Sequence, residues 1–355
     1  MKAMLLAAGY GERMLPITTM VPKPLIPVLG RPLAPQILAR LAGEGIDEAV
    51  INLHHLPQRL RDAFGDGAAH GLRALHFSLE EKMLLGTGGG IAHAAARLKG
   101  SGTILVRNSD FLADIPLSSV IASHLRSGCP ATIVVAPHRD GYTRVTVDER
   151  NRVTAFGGQS SGSCLFTGYH LIEESVIEMI PDGVPSDIVR DVYFGLAADG
   201  RLNAYVHEGF WWEFGQPRDY LEGSMRLVEL PVELRARLGN FDPVRRIGGA
   251  LASIGAGADL TGAGIELAGT LAIGMGVRVG ERAYLMDSVV MPEAWIGPGS
   301  SLRRCIVASG TEIPGGFDAA DTMLATDPDG DAALPRGVER IAGLLARRFS
   351  VAAAG

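Results

Sequence analysis

Two glycines and two cationic residues near the start of the chain have the types and spacing of a phosphate-binding site. The apolar stretch KAMLLAA runs directly into Gly9-Tyr10-Gly11, and Arg13 and Lys23 follow. Glycine has no Cβ, so a glycine-rich loop after a strand lets backbone N–H groups approach phosphate oxygens. Arg13 and Lys23 would add positive charge. This pattern predicts a phosphate site; the alternative for a single Gly-x-Gly is a tight turn.

The loop matches neither of the two common nucleotide fingerprints. No Gly-Lys-Ser/Thr follows it, which excludes a Walker A loop. Arg13 and Met14 stand where the dinucleotide fingerprint needs its third glycine. The loop therefore predicts a phosphate site of another type.

Over a longer stretch the segment resembles the signature of a known enzyme family. LAAGYGERMLPITTMVPKPLIPVLGRP is similar to that of the nucleoside-diphosphate-sugar pyrophosphorylases, the sugar-1-phosphate nucleotidyltransferases. The resemblance continues through GTGGG at 86–90, the strand that ends at Asp110, FTGYHL, and FWWEFGQPRDYLEG near 210–223. Among the branches, the chain looks most like mannose-1-phosphate guanylyltransferases that carry a C-terminal hexapeptide-repeat β-helix.

The resemblance implies a reaction and assigns roles in it. In the family, a sugar 1-phosphate oxygen attacks the α-phosphorus of an NTP and pyrophosphate leaves, so catalysis is mostly positioning and charge neutralisation. By resemblance, Arg13 steadies the β and γ phosphates or the leaving pyrophosphate, and Lys23 neutralises the α-phosphate. Glu80 is almost as good a candidate for base contact as Glu81. The nucleotide-binding residues that the resemblance implies are Ala8, Gly9, Gly11, Glu81, Gly86, Thr87, Gly88 and Asp110.

The resemblance also implies a magnesium cofactor. Mg²⁺ prefers carboxylate and phosphate oxygens. Asp110 aligns with the first metal ligand of the family, and Glu213 stands where the family has an Asp in a Trp-x-Asp-x-Gly pattern. Glutamate keeps the carboxylate but adds a methylene group, so an octahedral ion would require the backbone to lie further back. For the sugar, the resemblance assigns Gly168 and Glu213.

Further departures from the family pattern lie near the expected active site. Ser109 replaces the glycine that usually precedes the first metal ligand, and Gln216 stands where Thr is common. The usual Glu-Lys-Pro is absent, because VTAFGGQSSGSC offers no Lys to hold the sugar phosphate. Arg144 and Arg139 are the candidates to replace that charge.

These observations favour transfer of a nucleotidyl group from an NTP, with GTP preferred, to a mannose-1-phosphate-like sugar 1-phosphate. Two alternatives stay open. One is a catalytically inactive paralogue that binds nucleotide sugar and regulates a partner enzyme. The other is a uridylyl- or cytidylyltransferase that acts on another acceptor phosphate.

The elements that must position these residues alternate between apolar strands and helical patterns through the first half of the chain. Such alternation predicts an α/β fold over residues 1–230, with a Rossmann-like mixed, mainly parallel sheet sandwiched by helices. Ligands then bind at the carboxyl ends of the strands. From about residue 131, closely spaced strands predict a mixed-sheet insertion.

After an expected linker near 230–245, the composition shifts to Gly, Ala, Ile and Val. Ile or Val followed by Gly recurs about every six residues, which predicts a left-handed parallel β-helix over 245–316. It has no histidine, so we expect no acyltransferase site there. Such coils often assemble, so a homo-oligomer is expected. In the tail, 317–355, GVERIAGLLARRF at 337–349 predicts a short amphipathic helix.

Composition restricts the class of protein further. The formal net charge is -6, which disfavours nucleic acid and anionic membranes as partners. The three cysteines are widely spaced, which fits a reducing compartment and argues against structural zinc. No run reaches the roughly 18 apolar residues of a membrane-spanning helix. We therefore expect a soluble, cytoplasmic protein.

Overall fold

The computed structural model describes residues 1–157, 162–328, 330 and 332–349. The chain divides into two compact units, one of Met1–Tyr10 with Ala34–Trp211 and one of Gly11–Leu33 with Trp212–Gly355. The signature motif is thus divided: its first residues, up to Tyr10, belong to the first unit, and Gly11–Leu33 groups with the C-terminal part of the chain. Within the described residues, no helix is long and apolar enough to cross a membrane.

The strands up to residue 213 are short and mostly apolar. In chain order they are β1 (Lys2–Leu6), β2 (Pro27–Val28), β3 (Arg31–Pro32), β4 (Glu48–Leu53), β5 (Ala74–Leu79), β6 (Ile104–Asn108), β7 (Phe111–Ala113), β8 (Ala131–Pro137), β9 (Arg144–Val147), β10 (Val153–Phe156), β11 (Cys164–Ile172), β12 (Leu202–Val206) and β13 (Trp211–Glu213).

Helices lie between these strands and follow them. They are α1 (Leu33–Gly43), α2 (Pro57–Phe64), α3 (Gly86–His93), α4 (Ala95–Leu98), α5 (Leu117–Ser127), α6 (Glu174–Ile177), a π-helical turn at Val189–Tyr193, α7 (Phe194–Ala198), α8 (Pro217–Glu229) and α9 (Val232–Leu238). The linker expected near 230–245 therefore contains a helix, α9, which follows Pro231 at its N-cap.

The first unit is built on one nine-stranded mixed sheet. Strands β10, β9, β11, β6, β1, β4 and β5 lie side by side in that order, and β8 joins β11 to β12. The pairs of β1 with β4 and β6 are parallel, whereas β11 runs antiparallel to β6 and β8. Met4, Val50 and Val106 are fully buried in its core, as expected for central strands covered on both faces. The sheet confirms the predicted α/β class and the change to mixed pairing after residue 131.

Four parallel strands carry the chain toward the predicted ligand residues. Strands β1, β4, β5 and β6 end at Leu6, Leu53, Leu79 and Asn108. The residues that follow include Ala8, Gly9, Glu80 and Asp110. Because these strands are parallel neighbours, their carboxyl ends lie at one edge of the sheet, where ligands bind in open α/β sheets.

The second unit contains the repetitive region, which forms a parallel β-helix with strands from both flanks. Its strands are β14 (Val244–Ile247), β15 (Gly249–Ile254), β16 (Glu266–Ile273), β17 (Arg278–Val279), β18 (Tyr284–Met286), β19 (Val289–Val290), β20 (Trp295–Ile296), β21 (Ser301–Arg303), β22 (Ile306–Val307), β23 (Glu312–Ile313), β24 (Asp318–Ala320), β25 (Thr322–Thr326), β26 (Glu339–Ile341) and β27 (Leu344–Arg348).

Stacked apolar side chains hold the coils of the β-helix together. One stack consists of Ile273, Val290, Val307 and Leu324, which pair in successive coils 17 residues apart and are buried. A coil of 17 residues is one short of three hexapeptides, so one side of each coil has five residues instead of six. At Gly274, an added Cβ would lie 2.5 Å from the backbone N of Pro292 in the next coil. The glycine after the stacked residue therefore allows the coils to approach.

The tail forms strands, and the prediction of a helix over 337–349 is wrong. Strand β27 pairs antiparallel with both β25 and β26 and so extends the sheet of the β-helix. Ala342 and Gly343 have φ values of 50° and 78°, in the left-handed region that a tight turn uses. These two residues reverse the chain between β26 and β27, and three consecutive buried residues of β27, Leu344–Ala346, pack as part of a strand and not along a helical face.

Candidate active site

In the first unit, the start of the signature loop offers an exposed backbone. Ala8 is buried, but Gly9 is exposed, and a Cβ added at Gly9 would have no atom within 4 Å. The next residue, Tyr10, donates its hydroxyl hydrogen to Nε2 of His54 at 2.7 Å, because Nδ1 of His54 lies 2.6 Å from the carbonyl O of Glu80 and carries the proton there. The Tyr10–His54 bond fixes one end of the loop, a contact that the sequence analysis did not identify.

In the second unit, the loop continues as a tight turn that needs its glycine. Gly11 has φ 69° and precedes a 3₁₀ turn of Glu12–Met14. An added Cβ there would lie 2.8 Å from Cγ2 of Thr18, whose hydroxyl donates to the carbonyl O of Gly11 at 3.0 Å. The role of Gly11 in this structure is therefore to form the turn that presents the next charged residue, Arg13.

Three charged side chains converge in the second unit around Gly215. Nη2 of Arg13 lies 3.4 Å from Oε1 of Glu213. A Cβ added at Gly215 would lie 2.2 Å from that same Oε1 and 3.0 Å from Nζ of Lys23. The structure thus brings together the two predicted catalytic cations and one predicted metal ligand. The Arg13 side chain is 61% exposed, so this ion pair adds little to folding stability, and its cation is accessible to an incoming anion.

The Asp110 turn in the first unit is fixed by a buried arginine. The Nε of Arg107 donates to the carbonyl O of Asn108 at 3.2 Å, and its Nη2 donates to that of Phe111 at 2.9 Å. The guanidinium also lies 4.2 Å from the centre of the Phe111 ring. Burial lowers the pKa of Arg107 to about 10, which still leaves it charged at neutral pH. The charge and the two bonds hold the turn from either side of Asp110.

Ser109, which departs from the family pattern, lies within the same turn. It is buried, and its backbone N donates to the carbonyl O of Leu6 at 3.1 Å. This bond ties the Asp110 turn to the end of β1. The extra side chain of Ser109 is thus accommodated inside the fold.

Glu81, the preferred candidate for base contact, and Glu80, the second candidate, have different environments. Glu80 is 2% exposed, and its carboxylate accepts hydrogen bonds from Nδ2 of Asn52 at 2.7 Å and from the backbone N of Leu85 at 2.8 Å. Oδ1 of Asn52 in turn accepts from the backbone N of Ala7 at 2.7 Å. Glu80 therefore connects the end of β4 to the residue before α3, and through Asn52 to the residue after β1, whereas Glu81 is exposed. Of the two, only Glu81 offers its carboxylate to solvent and to a ligand.

The glycines of GTGGG allow α3 to pack closely on the segment around Ser186. A Cβ at Gly86 would lie 2.6 Å from the carbonyl O of Ser186, and one at Gly88 would lie 2.7 Å from its Oγ. The hydroxyl of Thr87 accepts from the backbone N of Ile188 at 3.0 Å. The nucleotide contacts predicted for these three residues stay predictions; the structure supplies a packing reason for their identity.

Close packing also explains why residue 168 is a glycine. Its φ is 77°, and an added Cβ would lie 2.6 Å from Nδ2 of Asn108. The preceding Thr167 accepts a hydrogen bond on its carbonyl O from Nε1 of Trp211 at 3.1 Å. Close packing on the strand that leads to Asp110 requires a glycine here, and the predicted sugar contact stays a prediction.

The two arginines that were candidates for the missing lysine differ in their contacts. Nη1 of Arg144 donates to the carbonyl O of Gly162 at 2.9 Å, which holds β9 to the start of β11. The guanidinium of Arg139 lies 5.5 Å from the ring centre of Tyr142 and 5.9 Å from that of Trp211. The Arg139 guanidinium therefore stacks on two aromatic rings, whereas the Arg144 guanidinium donates to a backbone carbonyl. Gly158–Ser161, within VTAFGGQSSGSC, lies outside the described residues.

A buried histidine next to this region makes folding sensitive to acid. His170 is 1% exposed and bonds through Nδ1 to the hydroxyl of Tyr193, and burial lowers its pKa to about 3. The ordinary value is about 6.5. His170 therefore stays neutral in the folded chain, and its contribution to stability is present above pH 6.5 and decreases as the pH falls from 6.5 to 3.

From this depressed pKa we expect a loss of about 1 kcal/mol in the free energy of unfolding between pH 7 and 5.5, because only the unfolded chain takes up the proton. Urea denaturation at both pH values would measure it. His170→Gln can still bond to Tyr193 but does not titrate, so it should lose about 1 kcal/mol less than the natural chain. An equal loss in both proteins would show that His170 is not the source.

Comparison with known proteins identifies the family to which the chain belongs. The model of the nucleotidyl transferase family matches residues 2–229, and the model of the GlmU-like C-terminal hexapeptide matches residues 241–333. The chain therefore belongs to the nucleotidyl transferase family, and the predicted family and enzyme class, sugar-1-phosphate nucleotidyltransferase, are confirmed.

Within this family, the chain is 32% identical over 309 residues to the mannose-1-phosphate guanylyltransferase of Mycobacterium tuberculosis, covering 85% of this chain and 83% of that one. It is 27% identical to the UTP–glucose-1-phosphate uridylyltransferase of Synechocystis, covering 91% of this chain and 93% of that one. The crystal structure of HddC from Yersinia pseudotuberculosis matches with a TM-score of 0.54 at 21% identity, over 63% of this chain and 98% of that one, which shows the shared fold.

Proposed function

We propose that this enzyme transfers a guanylyl group from GTP to mannose 1-phosphate or a closely similar sugar 1-phosphate, giving a nucleotide sugar and pyrophosphate. The observation that carries the proposal is the convergence of Arg13, Lys23 and Glu213 around Gly215. Two cations beside one carboxylate, with the Arg13 side chain exposed, form a site that a polyphosphate can enter by displacing the Arg13–Glu213 ion pair. The guanine and mannose preferences follow the M. tuberculosis relative.

In the proposed reaction, an oxygen of the sugar phosphate forms a bond to the α-phosphorus of GTP. The bond from that phosphorus to the bridging oxygen breaks, and pyrophosphate takes the electron pair. Lys23 neutralises the charge on the α-phosphate, and Arg13 leaves Glu213 to pair with the β and γ phosphates. Most of the rate then comes from positioning and from charge placed before the reaction begins.

Magnesium is the proposed cofactor, and it would neutralise charge on the reacting phosphates. By resemblance, Asp110 and Glu213 would supply its protein oxygens. Both are hard carboxylate donors of the kind that Mg²⁺ prefers. Within the described residues, no group of three or more His, Cys, Asp or Glu side chains could hold a metal ion by itself. Phosphate and water oxygens would therefore complete the coordination.

For the sugar phosphate, we propose Arg139 as the cation that replaces the missing lysine. Arg139 lies over Tyr142 and Trp211, and an aromatic pair beside a cation suits a ligand that has both an apolar sugar face and a phosphate.

The decisive experiment is pyrophosphate release from the purified protein with Mg²⁺. GTP, UTP, dTTP, CTP and ATP would each be tested with mannose 1-phosphate and with glucose 1-phosphate. We expect the highest kcat/KM with GTP and mannose 1-phosphate. Highest activity with UTP and glucose 1-phosphate would favour the function named for the Synechocystis relative. No release with any pair, together with nucleotide-sugar binding by calorimetry, would favour the regulatory alternative.

A further inference from the structure

The last strand of the second unit contacts the turn that carries Arg13. Nη1 of Arg347, on β27, donates to the carbonyl O of Glu12 at 3.1 Å and lies 3.5 Å from that of Leu15. These two carbonyl groups lie on either side of Arg13 and Met14. One guanidinium therefore holds both ends of the turn from which the Arg13 side chain projects.

The strand that presents Arg347 is firmly held. Strand β27 pairs with β25 over five residues and with β26 over three, and Arg347 lies opposite the fully buried Met323. Leu344, Leu345 and Ala346, directly before Arg347, are buried in the β-helix. The position of Arg347 is thus fixed by the packed end of the β-helix.

The turn itself has few internal bonds. The backbone N of Met14 donates to the carbonyl O of Gly11 at 2.8 Å, and that of Leu15 donates to the carbonyl O of Glu12 at 3.3 Å. The second bond is long for an N–H···O hydrogen bond. A charged donor makes a stronger bond than a neutral amide, so Arg347 is a substantial part of what fixes this turn.

We propose that Arg347 is a positioning residue for the nucleotidyl transfer. It holds the Glu12–Leu15 turn so that Arg13 is placed to meet the phosphates of the nucleotide. The inference rests on the proposed function, and it assigns the end of the β-helix a direct part in building the phosphate site. In the same strand, Arg348 bonds to Glu339 at 3.2 Å, with its own side chain 76% exposed. Arg348 therefore provides a matched control.

The first test is hydrogen–deuterium exchange of the natural chain, Arg347→Ala and Arg348→Ala, without ligand. We expect amide exchange in peptides covering Glu12–Leu15 to be about tenfold faster in Arg347→Ala and unchanged in Arg348→Ala. This measurement does not depend on turnover, so it separates failure of this proposal from failure of the proposed function. Equal exchange in all three proteins would overturn the proposal.

The second test is kinetic. With the best substrate pair, Arg347→Ala should lower kcat/KM for the nucleotide about tenfold, Arg347→Lys should recover part of the loss, and Arg348→Ala should have no effect. Because Arg347 acts through Arg13, its replacement should cause no further loss in an Arg13→Ala background. Additive losses in the double variant, or an equal loss in Arg348→Ala, would contradict the proposal. Thermal melting of each variant identifies any that fail to fold.

Discussion

Replacement of Lys23 by alanine is expected to lower kcat for pyrophosphate release by about 100- to 1000-fold, the usual cost of removing one positioned charge donor from a transition state. Nζ of Lys23 approaches the same point beside Gly215 as the carboxylate of Glu213. Without it, the negative charge that builds up around the α-phosphorus would lose its proposed counter-charge. Steady-state kinetics with saturating substrates would measure the loss.

Lys99→Ala is the matched control for this change. Lys99 is exposed and lies 3.9 Å from Glu178 across the surface, so its replacement should leave kcat unchanged. Calorimetric titration with nucleotide would show whether Lys23→Ala still binds its substrate. If Lys23→Ala kept more than about a tenth of the natural kcat, far above the range expected for a positioned charge, the proposed role of Lys23 would be wrong.

The second large effect is expected at Glu80, and it concerns stability. In Glu80→Gln, the new amide NH₂ would face one of two present donors, Nδ2 of Asn52 or the backbone N of Leu85. A buried donor would lose its acceptor, which costs about 1–3 kcal/mol in the free energy of unfolding. Urea denaturation at pH 7 would measure this cost.

The variant of the neighbouring residue, Glu81→Gln, is the control that distinguishes an effect on stability from an effect on nucleotide binding. Glu81 is exposed, so the change should alter the free energy of unfolding by less than about 0.5 kcal/mol. If Glu81 contacts the base, the KM of Glu81→Gln for the nucleotide should rise. The order of preference among the five NTPs, compared between the variant and the natural enzyme, is the most informative readout. Equal destabilisation by both changes would show that Glu80 is not the buried connector described above.

The sequence was most informative where one physical pattern dominated. Strand β8 (Ala131–Pro137) begins where closely spaced strands are predicted, from about residue 131, because a continuous apolar run between polar segments fits a strand buried on both faces. Helix α5, Leu117–Ser127, was missed, since its polar Ser and His residues obscure the apolar face. The hairpin of β26 and β27 was missed because LLARR fits a helical face as well as a strand, and only the open edge of β25 decides between them.

In the candidate site, too, the contacts between residues distant in the chain could not be predicted from a local sequence pattern. The pairing of Arg13 with Glu213 joins residues 200 positions apart, and spacing along the chain contains no information about such a contact. The family resemblance assigned both residues to the active site but did not predict that they pair. The difference between Glu80 and Glu81 depends on which carboxylate turns toward Asn52. The role of Arg347 had no signal in the sequence, because its partners are backbone carbonyl groups that every residue has.

The grouping of Gly11–Leu33 with the C-terminal unit has a consequence for synthesis on the ribosome. Tyr220 bonds through its hydroxyl to the carbonyl O of Pro27, and the backbone N of Asp242 donates to that of Leu29 at 3.2 Å. At about 5–20 residues per second, these partners emerge roughly 10–40 s after the segment they hold. A nascent or prematurely terminated chain that ends before Tyr220 lacks both partners, so its Gly11–Leu33 segment cannot form these two bonds.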